Sequence, residues 1–201
     1  MHLSGQEWFA LAISASFAAG LNVYATVATL GILAHVGVLQ LPSSLQALGD
    51  WWVIVAACAL YLLEFVADKI PVFDLLWNAL HTFVRVPVAA LIAYGATQNL
   101  SPQAQLLSAA LGGVVALIAH SGKMAARSAV TSLPEPVSNS ILSVTEDAAA
   151  IGITWFATHH PFIAAVITSV LVVALVFAVR WLMRAMRRLF RNAERVVQRA
   201  A

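Results

Sequence analysis

Apolar runs of roughly 20 residues, separated by short polar segments, recur along the whole chain rather than at one end. A helix of about 20 apolar residues crosses the roughly 30 Å hydrocarbon core of a bilayer, so each run is a candidate membrane span. Six candidates result, at residues 8–38, 50–67, 86–98, 103–121, 137–158 and 161–183. The pattern predicts an all-α, polytopic integral membrane protein with about six transmembrane helices over residues 1–183.

The first candidate span is too long for one perpendicular crossing. At 1.5 Å per residue, residues 8–38 would form a helix about 46 Å long, so the helix must tilt, protrude or break. The segment AGLNVYAT at residues 19–26 predicts a break, because Gly20 permits unusual backbone angles and Asn22 can satisfy freed backbone groups.

The third candidate span has the opposite defect. Residues 86–98 would reach only about 20 Å as a helix and begin beside Pro87. They follow the amphipathic segment 72–84. A short, proline-interrupted half-helix is therefore predicted here.

The composition agrees with a membrane protein. The chain is 61% hydrophobic and 10% charged, whereas roughly a quarter of the residues of a soluble domain are charged. The N-terminus has no Lys or Arg before its apolar stretch, so we expect a retained membrane segment rather than a cleaved signal peptide. Cys58 is the single cysteine, which excludes an intrachain disulfide and favours a small buried side chain.

The basic residues predict an orientation, because cytoplasmic loops collect Lys and Arg. Lys69 and Arg85 fall between spans two and three, Lys123 and Arg127 between spans four and five, and the other seven after span six. Six crossings with both termini in the cytoplasm would place all of them inside. The expected location is the plasma membrane.

The C-terminal segment 184–201 predicts a basic amphipathic helix. Its arginines share one helical face, and the opposite face is apolar, so the segment should leave the membrane and bind the anionic inner leaflet. Nucleic acid is not an expected partner, because nothing else in the chain supports it. The arginines of this face, counted from the end of the last span, are Arg180, Arg184, Arg187, Arg188, Arg191, Arg195 and Arg199.

Two windows resemble each other and suggest an internal repeat, residues 50–98 and 103–158. Lys69 would correspond to Lys123, and Pro87 in RVPV to Pro136 in PEPV. Both windows would form proline-broken hairpins on the cytoplasmic side, related by an axis along the membrane normal. Inverted repeats are the alternative and would need another topology.

Charged side chains are concentrated in these two windows, where burial near hydrocarbon requires that they face one another or a polar cavity. For Asp68, Lys69, Asp74 and Arg127, ion pairing at the membrane rim is an equal alternative. We expect neither a metal nor a cofactor. The predicted substrate or ion pathway comprises Asn22, Glu64, Asp68, Lys69, His81, Arg85, His120, Lys123, Glu135, Asn139, Glu146 and Asp147.

Within this set, Glu146 and Asp147 are adjacent acids that would lie about 14 Å into the membrane if their helix begins at Pro136. Asn139 and Ser143 extend the same polar stripe. The two histidines could bind protons or ligand, or could be satisfied interfacial side chains. No hydrolase, metalloprotease or phosphate-loop motif is present, which disfavours an enzyme.

Five segments in this order, GLNVYATV, LEFVADKIP, HTFVRVPVAAL, AHSGK and PEPVSNSILSVTED, resemble the bacterial membrane family known as domain of unknown function 4126. The likeness covers roughly residues 15–180. It implies a multi-span protein of the bacterial inner membrane and implies no activity.

The sequence predicts a small transporter, channel or lipid-translocating protein whose polar pathway forms where the two hairpins meet. A homodimer would complete that pathway, and the substrate would be a small ion or a lipid-like molecule. The alternatives are a membrane-embedded enzyme acting on a lipid headgroup, which would use the same charged residues, and a structural or accessory subunit.

Overall fold

A computed structural model describes the backbone of residues 1–69, 71–131 and 136–200, and the side chains of residues 1–69, 76–128, 140–185 and 187. Within these ranges the chain is helical and contains no strand. The helices are α1 (Gly5–Leu21), α2 (Val23–His35), a 3₁₀ helix (Ser43–Gly49), α3 (Trp51–Ala67), α4 (Pro71–Ala96), α5 (Pro102–Thr131), α6 (Pro136–His159) and α7 (Pro161–Ala200).

Local sequence signals mark where these helices begin. The last four helices, α4 to α7, each have proline at the first position, where its missing N–H is unneeded and its fixed φ suits a helix. At the start of α1, Ser4 and Glu7 form a reciprocal capping box. Helix starts are therefore the best-specified local features of the chain.

The predicted break in the first apolar run is confirmed at Asn22, which ends α1 and caps α2 in an extended conformation. The segment before α1 and the segment after α2 lie next to each other. The Met1 ammonium donates to the Val38 carbonyl at 2.8 Å, and the Gln40 N–H donates to the Met1 carbonyl at 3.2 Å. Helices α1 and α2 therefore form a hairpin with its tip at Asn22.

This hairpin corrects the prediction that residues 8–38 form a crossing. Trp8 and Leu11 of α1 share a hydrophobic cluster with Leu30 of α2, as the two arms of a hairpin would. The local residues specify a break, but only the packing of the arms decides between a kink and a reversal. Both ends of the run lie at one end of the bundle, which we call the N-terminal end and define by residues 1–4, 36–50 and 97–101.

Helix α1 lies in the centre of the bundle and contacts α4, α5, α6 and α7 as well as α2. Its small residues permit this, since Ala15, Ala18 and Ala19 are fully buried. At the tip, a Cβ on Gly20 would collide with the Ala116 carbonyl oxygen and lie 2.7 Å from the Ala119 Cβ, so only glycine lets the tip touch α5.

Large apolar side chains point away from the bundle along α3 and α7. Trp52 is 82% exposed and Phe177 66% exposed, which is typical of a surface that faces lipid. Three helical segments are long and apolar enough to cross a membrane: Leu76–Ala96, Pro102–Ser128 and Pro161–Ala185. A fourth results if the 3₁₀ helix and α3, bent by 63°, count as one span.

The predicted half-helix at residues 86–98 is wrong. Pro87 lies inside α4, which is continuous from Pro71 to Ala96 and includes the amphipathic segment that was expected to precede a break. Proline removes one backbone hydrogen bond, but packing of Ala89 and Ile92 against the core holds the helix together.

The polar segment after the fourth predicted span is also helical. Helix α5 continues through Lys123 and Arg127 to Thr131, so these two residues lie on a helix rather than in a connecting loop. Lys69, their predicted counterpart in the first window, lies in the turn after α3. Pro87 is internal to a helix, whereas Pro136 begins one. The residue equivalences of the proposed repeat are therefore wrong.

Helix α7 starts near the beginning of α1, where Phe162 and Phe9 line one groove, and its Leu175 later packs near Phe17. It therefore runs alongside α1 and continues far past the hairpin tip. The chain termini lie at opposite ends of the bundle, which conflicts with the prediction of both on one side. The backbone of segment 184–200 continues α7 as one helix; most of its side chains lie outside the described residues.

Candidate functional site

Seven charged side chains meet beside the hairpin tip, and each residue is at most 7% exposed. Two come from α3, one from α4, two from α5 and two from α6, so four helices position them. We call this group the central charge cluster; it comprises Glu64, Asp68, Arg85, Lys123, Arg127, Glu146 and Asp147.

Lys123 occupies the middle of the cluster. Its Nζ lies 3.6 Å from Glu64 Oε1, 3.5 Å from Asp68 Oδ2 and 3.3 Å from Glu146 Oε2. Arg85 of α4 binds Glu64 through its Nη2. Paired charges of this kind reduce the large cost of burial away from water.

Arg127 joins α3 to α6. Its Nη2 lies 2.7 Å from Asp68 Oδ2 and 2.7 Å from Glu146 Oε2, and its Nε also donates to Glu146 Oε2 at 3.2 Å. The Ser143 hydroxyl donates to Asp68 Oδ2 at 3.3 Å. The cluster therefore ties α3, α5 and α6 together on one side of the tip.

The tip of the hairpin presents the C-terminal end of α1 to two of these cations. Lys123 Nζ donates to the Leu21 carbonyl at 3.1 Å, and Arg85 Nη1 donates weakly to the Gly20 carbonyl at 3.5 Å. Carbonyls in the last turn of a helix have no partner within the helix and carry partial negative charge, so cations are stabilised there.

Both the oxygen and the nitrogen of the Asn22 side-chain amide form hydrogen bonds at the break. Its Oδ1 accepts from the Ala25 N–H at 2.9 Å and so caps α2, while its Nδ2 donates to Asp147 Oδ1 at 2.8 Å. The start of α2 carries partial positive charge, and a carboxylate is favoured beside it. At the break, the negative end of α1 therefore faces Lys123 and Arg85, and the positive start of α2 faces Asp147.

His120 of α5 extends the network to α4. Arg85 Nη1 lies 2.7 Å from His120 Nδ1, and His120 Nε2 lies 3.1 Å from the Asn78 carbonyl and 2.8 Å from Thr82 Oγ1. Because arginine only donates, Nδ1 must accept, and the proton of a neutral ring then lies on Nε2. His120 therefore orients Arg85 while uncharged.

His81 lies next to this network rather than within it. Its Nδ1 donates to the Trp77 carbonyl at 2.8 Å, its Nε2 lies 3.0 Å from the Tyr24 hydroxyl, and its ring stacks on Trp77. These contacts give both ring nitrogens a partner, as expected for the alternative in which His81 is a satisfied interfacial side chain.

The structure thus brings together most of the predicted pathway residues and leaves out two, His81 and Lys69. Lys69 is exposed, and its Nζ lies over the Phe65 ring and donates to the Phe65 carbonyl at 2.9 Å. Glu135 lies outside the described residues, and Asn139 lies where only the backbone is described. The residues brought together are Asn22, Glu64, Asp68, Arg85, His120, Lys123, Glu146 and Asp147.

Two central contributors were missed by the sequence interpretation. Arg127 was considered as an ion pair at the membrane rim but was not placed in the predicted pathway, and Asn78 was not considered. The helical period would have found both. His120, Lys123 and Arg127 are spaced three and four apart, and Asn78 lies seven residues before Arg85.

Three cavities on the described residues lie away from the cluster. A polar one, about 710 Å³, opens at the N-terminal end between Trp8, Leu41 and Gln98. An apolar groove of about 760 Å³ lies between α1 and α7, and a smaller one lies between α4 and α5. The central charge cluster is closed in this conformation with respect to all three.

Comparison with known proteins gives one match. The model of the family described as Domain of unknown function (DUF4126) matches residues 9–181. No curated protein matches, and no solved structure matches.

Proposed function

The chain belongs to the family of domain of unknown function 4126, and since that family brings no activity with it, we propose a function from the site alone. We propose a membrane transport protein, a transporter, channel or lipid translocator, whose small ion or lipid-like substrate passes the hairpin tip. One observation supports this proposal most. The break at Asn22 between α1 and α2 lies beside the seven buried side chains of the central charge cluster.

Broken helices at a buried polar site have a physical use in membrane transport. The half-helix ends supply partial charges, and unpaired backbone carbonyls and N–H groups supply ligands where a continuous helix has none. Here Gly20 and Leu21 offer carbonyls, and Asn22 offers an amide, at about 20 Å from the N-terminal end of the bundle. Intramembrane charge is costly and is kept where a pathway needs it.

The proposed topology has five crossings, α3 to α7, with the α1–α2 hairpin entering from outside and returning. The loops at the N-terminal end contain no Lys or Arg, and the first Lys or Arg of the chain is Lys69. The Arg-rich end of α7 lies at the opposite end. Loops rich in Lys and Arg remain cytoplasmic, so we propose the N-terminus outside and the C-terminus inside a bacterial inner membrane.

Cysteine labelling in intact cells tests this topology. In a Cys58→Ala background, we expect Ser4→Cys and Asn99→Cys to react with a membrane-impermeant maleimide from outside. Lys69→Cys should react only after the cells are opened. If Ser4→Cys is protected in intact cells while Asn99→Cys is labelled, residues 8–38 cross the membrane and the hairpin topology is wrong.

The structure represents a closed state within this proposal. Lys123 and Arg127 are held by carboxylates from α3 and α6, and a substrate would have to compete for those contacts. We propose that entry of substrate separates the hairpin tip from α6, where the contact is the hydrogen bond between Asn22 and Asp147. A bistable contact of this kind provides the two states that transport requires.

Purified protein in liposomes tests the function directly. Proton, Na⁺, K⁺, chloride and inorganic phosphate fluxes, and the flipping of a fluorescent phospholipid, are measured against empty liposomes. We expect at least one flux well above the empty-liposome level, reduced at least tenfold by Asp147→Asn. If none of these probes moves faster than through empty liposomes, the proposal is wrong.

One specific observation favours the structural alternative. The cations of the cluster are engaged by carboxylates. A closed cluster of this kind would also serve to lock helices together. The structural role predicts loss of stability in cluster variants without any flux in the wild type. No comparable observation supports the alternative of a membrane-embedded enzyme that acts on a lipid headgroup.

The proposed partners follow from the same picture. The Arg-rich end of α7 would bind anionic lipids of the inner leaflet, because each basic residue near that surface contributes roughly 1 kcal/mol. A homodimer would complete a pathway along the lipid-facing side of the bundle.

A further inference from the structure

The described charges of the cluster do not balance. Four carboxylates, Glu64, Asp68, Glu146 and Asp147, face three cations, Arg85, Lys123 and Arg127. The neighbouring segments 70–75 and 129–139, whose side chains are not described, contain acids but no Lys, Arg or His. They cannot supply the missing positive charge, so one negative charge is in excess.

Asp147 carries that excess. The other three acids each have a cation within 4.0 Å, and Asp147 has none among the described residues. It is 3% exposed, its Oδ1 accepts from Asn22, and its Oδ2 has no hydrogen-bond donor among the described side chains. An ionised carboxylate so placed is strongly disfavoured unless a proton or a cation neutralises it.

The surroundings favour a proton over a metal cation. Asn22 turns its amide nitrogen toward Asp147 because its oxygen is committed to capping α2. A hard cation needs several oxygen ligands, and here the nearest side chain offers a donor. Among the described residues, no group of three or more His, Cys, Asp or Glu side chains is placed to hold a metal ion.

Several groups govern the charge of Asp147. Glu64 and Tyr61 of α3, Asp68 at its C-terminal end and Lys123 of α5 all face Asp147. Glu146 is its neighbour on α6, while α4 contributes Arg85, which is bound to Glu64. The hairpin contributes the amide of Asn22 and the start of α2. The acid thus lies between opposing charges at a contact that must open for substrate.

We infer that Asp147 is the proton-binding group of this protein and that the proton is the ion coupled to movement of the hairpin tip. The proton binds at Oδ2, the oxygen without a donor. Loss of the proton leaves a carboxylate that holds Asn22 and the positive start of α2, and uptake weakens that hold. The coupling rests on the proposed transport function, whereas proton binding by Asp147 does not.

Infrared difference spectroscopy of the full-length protein in lipid tests the proton site. We expect a protonated-carboxyl band that titrates with pH, is lost in Asp147→Asn, shifts in Asp147→Glu and is retained in Asp50→Asn, an exposed acid at the start of α3. Addition of Na⁺ or K⁺ at constant pH should leave the band unchanged.

The outcomes separate the two proposals. Persistence of the band in Asp147→Asn, or its removal by Na⁺ or K⁺, would overturn the proton site. If Asp147→Asn does not fold, an unshifted band in Asp147→Glu has the same meaning. A band that behaves as expected, in a protein that moves no substrate in liposomes, keeps Asp147 as a proton site and rejects the transport function.

Discussion

Replacement of Arg85 by methionine is expected to destabilise the protein by about 3 to 5 kcal/mol, because Glu64 would be left with a buried charge and only the more distant Lys123 beside it. The guanidinium also contacts His120 and the Gly20 carbonyl, so Arg85 joins α3, α4 and α5 to the hairpin tip. Unfolding in detergent by heat or by denaturant, followed by circular dichroism, measures the loss.

Lys69→Met is the matched control, since Lys69 is a cation that packs on Phe65 outside the cluster. It should change stability by about 0.5 kcal/mol or less. The double variant Glu64→Gln with Arg85→Met should recover part of the loss, because the stranded carboxylate is gone. Equal losses in Arg85→Met and Lys69→Met would show that burial of the pair is not what stabilises the bundle.

Replacement of Asn22 by alanine is the second large effect, an expected loss of about 2 to 5 kcal/mol at a pH where Asp147 is ionised. This combines the cap of α2, about 0.5 to 2 kcal/mol, with a hydrogen bond to a charged group, about 1.5 to 3 kcal/mol. The same denaturation experiment measures it. Digestion by an added protease should also become faster in residues 19–26 if the tip is released.

Two further variants divide this effect. Asn22→Ser keeps a capping oxygen but loses the amide that reaches Asp147, so it should be intermediate. Thr29→Ala removes a hydroxyl that bonds only to the Ala25 carbonyl of its own helix, at 2.7 Å, and should be nearly neutral. A neutral Asn22→Ala would mean that the hairpin tip is held by packing alone.

The break at Asn22 could be predicted because its cause is local: a flexible glycine and a capping amide lie together in a run too long to cross once. The reversal at that break could not. It depends on Trp8 and Leu11 finding Leu30 across the hairpin, and on the tip fitting against Ala116, and neither contact leaves a pattern in adjacent residues.

The convergence of the charges could also be predicted, from the cost of leaving them unpaired in an apolar chain. Their partners could not. Lys69 is adjacent to Asp68 in sequence, yet Arg127 of α5 binds that acid, because Lys69 lies in the turn after α3 and packs on Phe65. Treating basic residues as markers of loops also ended α5 too early.

Pro87 shows that tertiary packing can override the tendency of a proline to end a helix. A proline costs roughly 3 kcal/mol in a helix interior, and that favoured a half-helix. In the structure, Ala89, Ile92 and Ala93 of the same helix are buried against α1 and α5, and that packing is lost if α4 ends early. The tertiary contacts outweigh the local penalty.

The central position of α1 has a consequence for how the protein is made. The α1–α2 hairpin is synthesised first, but the helices that surround it, α4 to α7, are synthesised afterwards. Its tip carries Asn22 and exposed carbonyls that lipid cannot satisfy. We therefore expect the newborn hairpin to wait at the membrane surface, or beside the insertion machinery, until the later helices enclose it. The hairpin would then leave the ribosome before the helices that surround it and reach its native place after them.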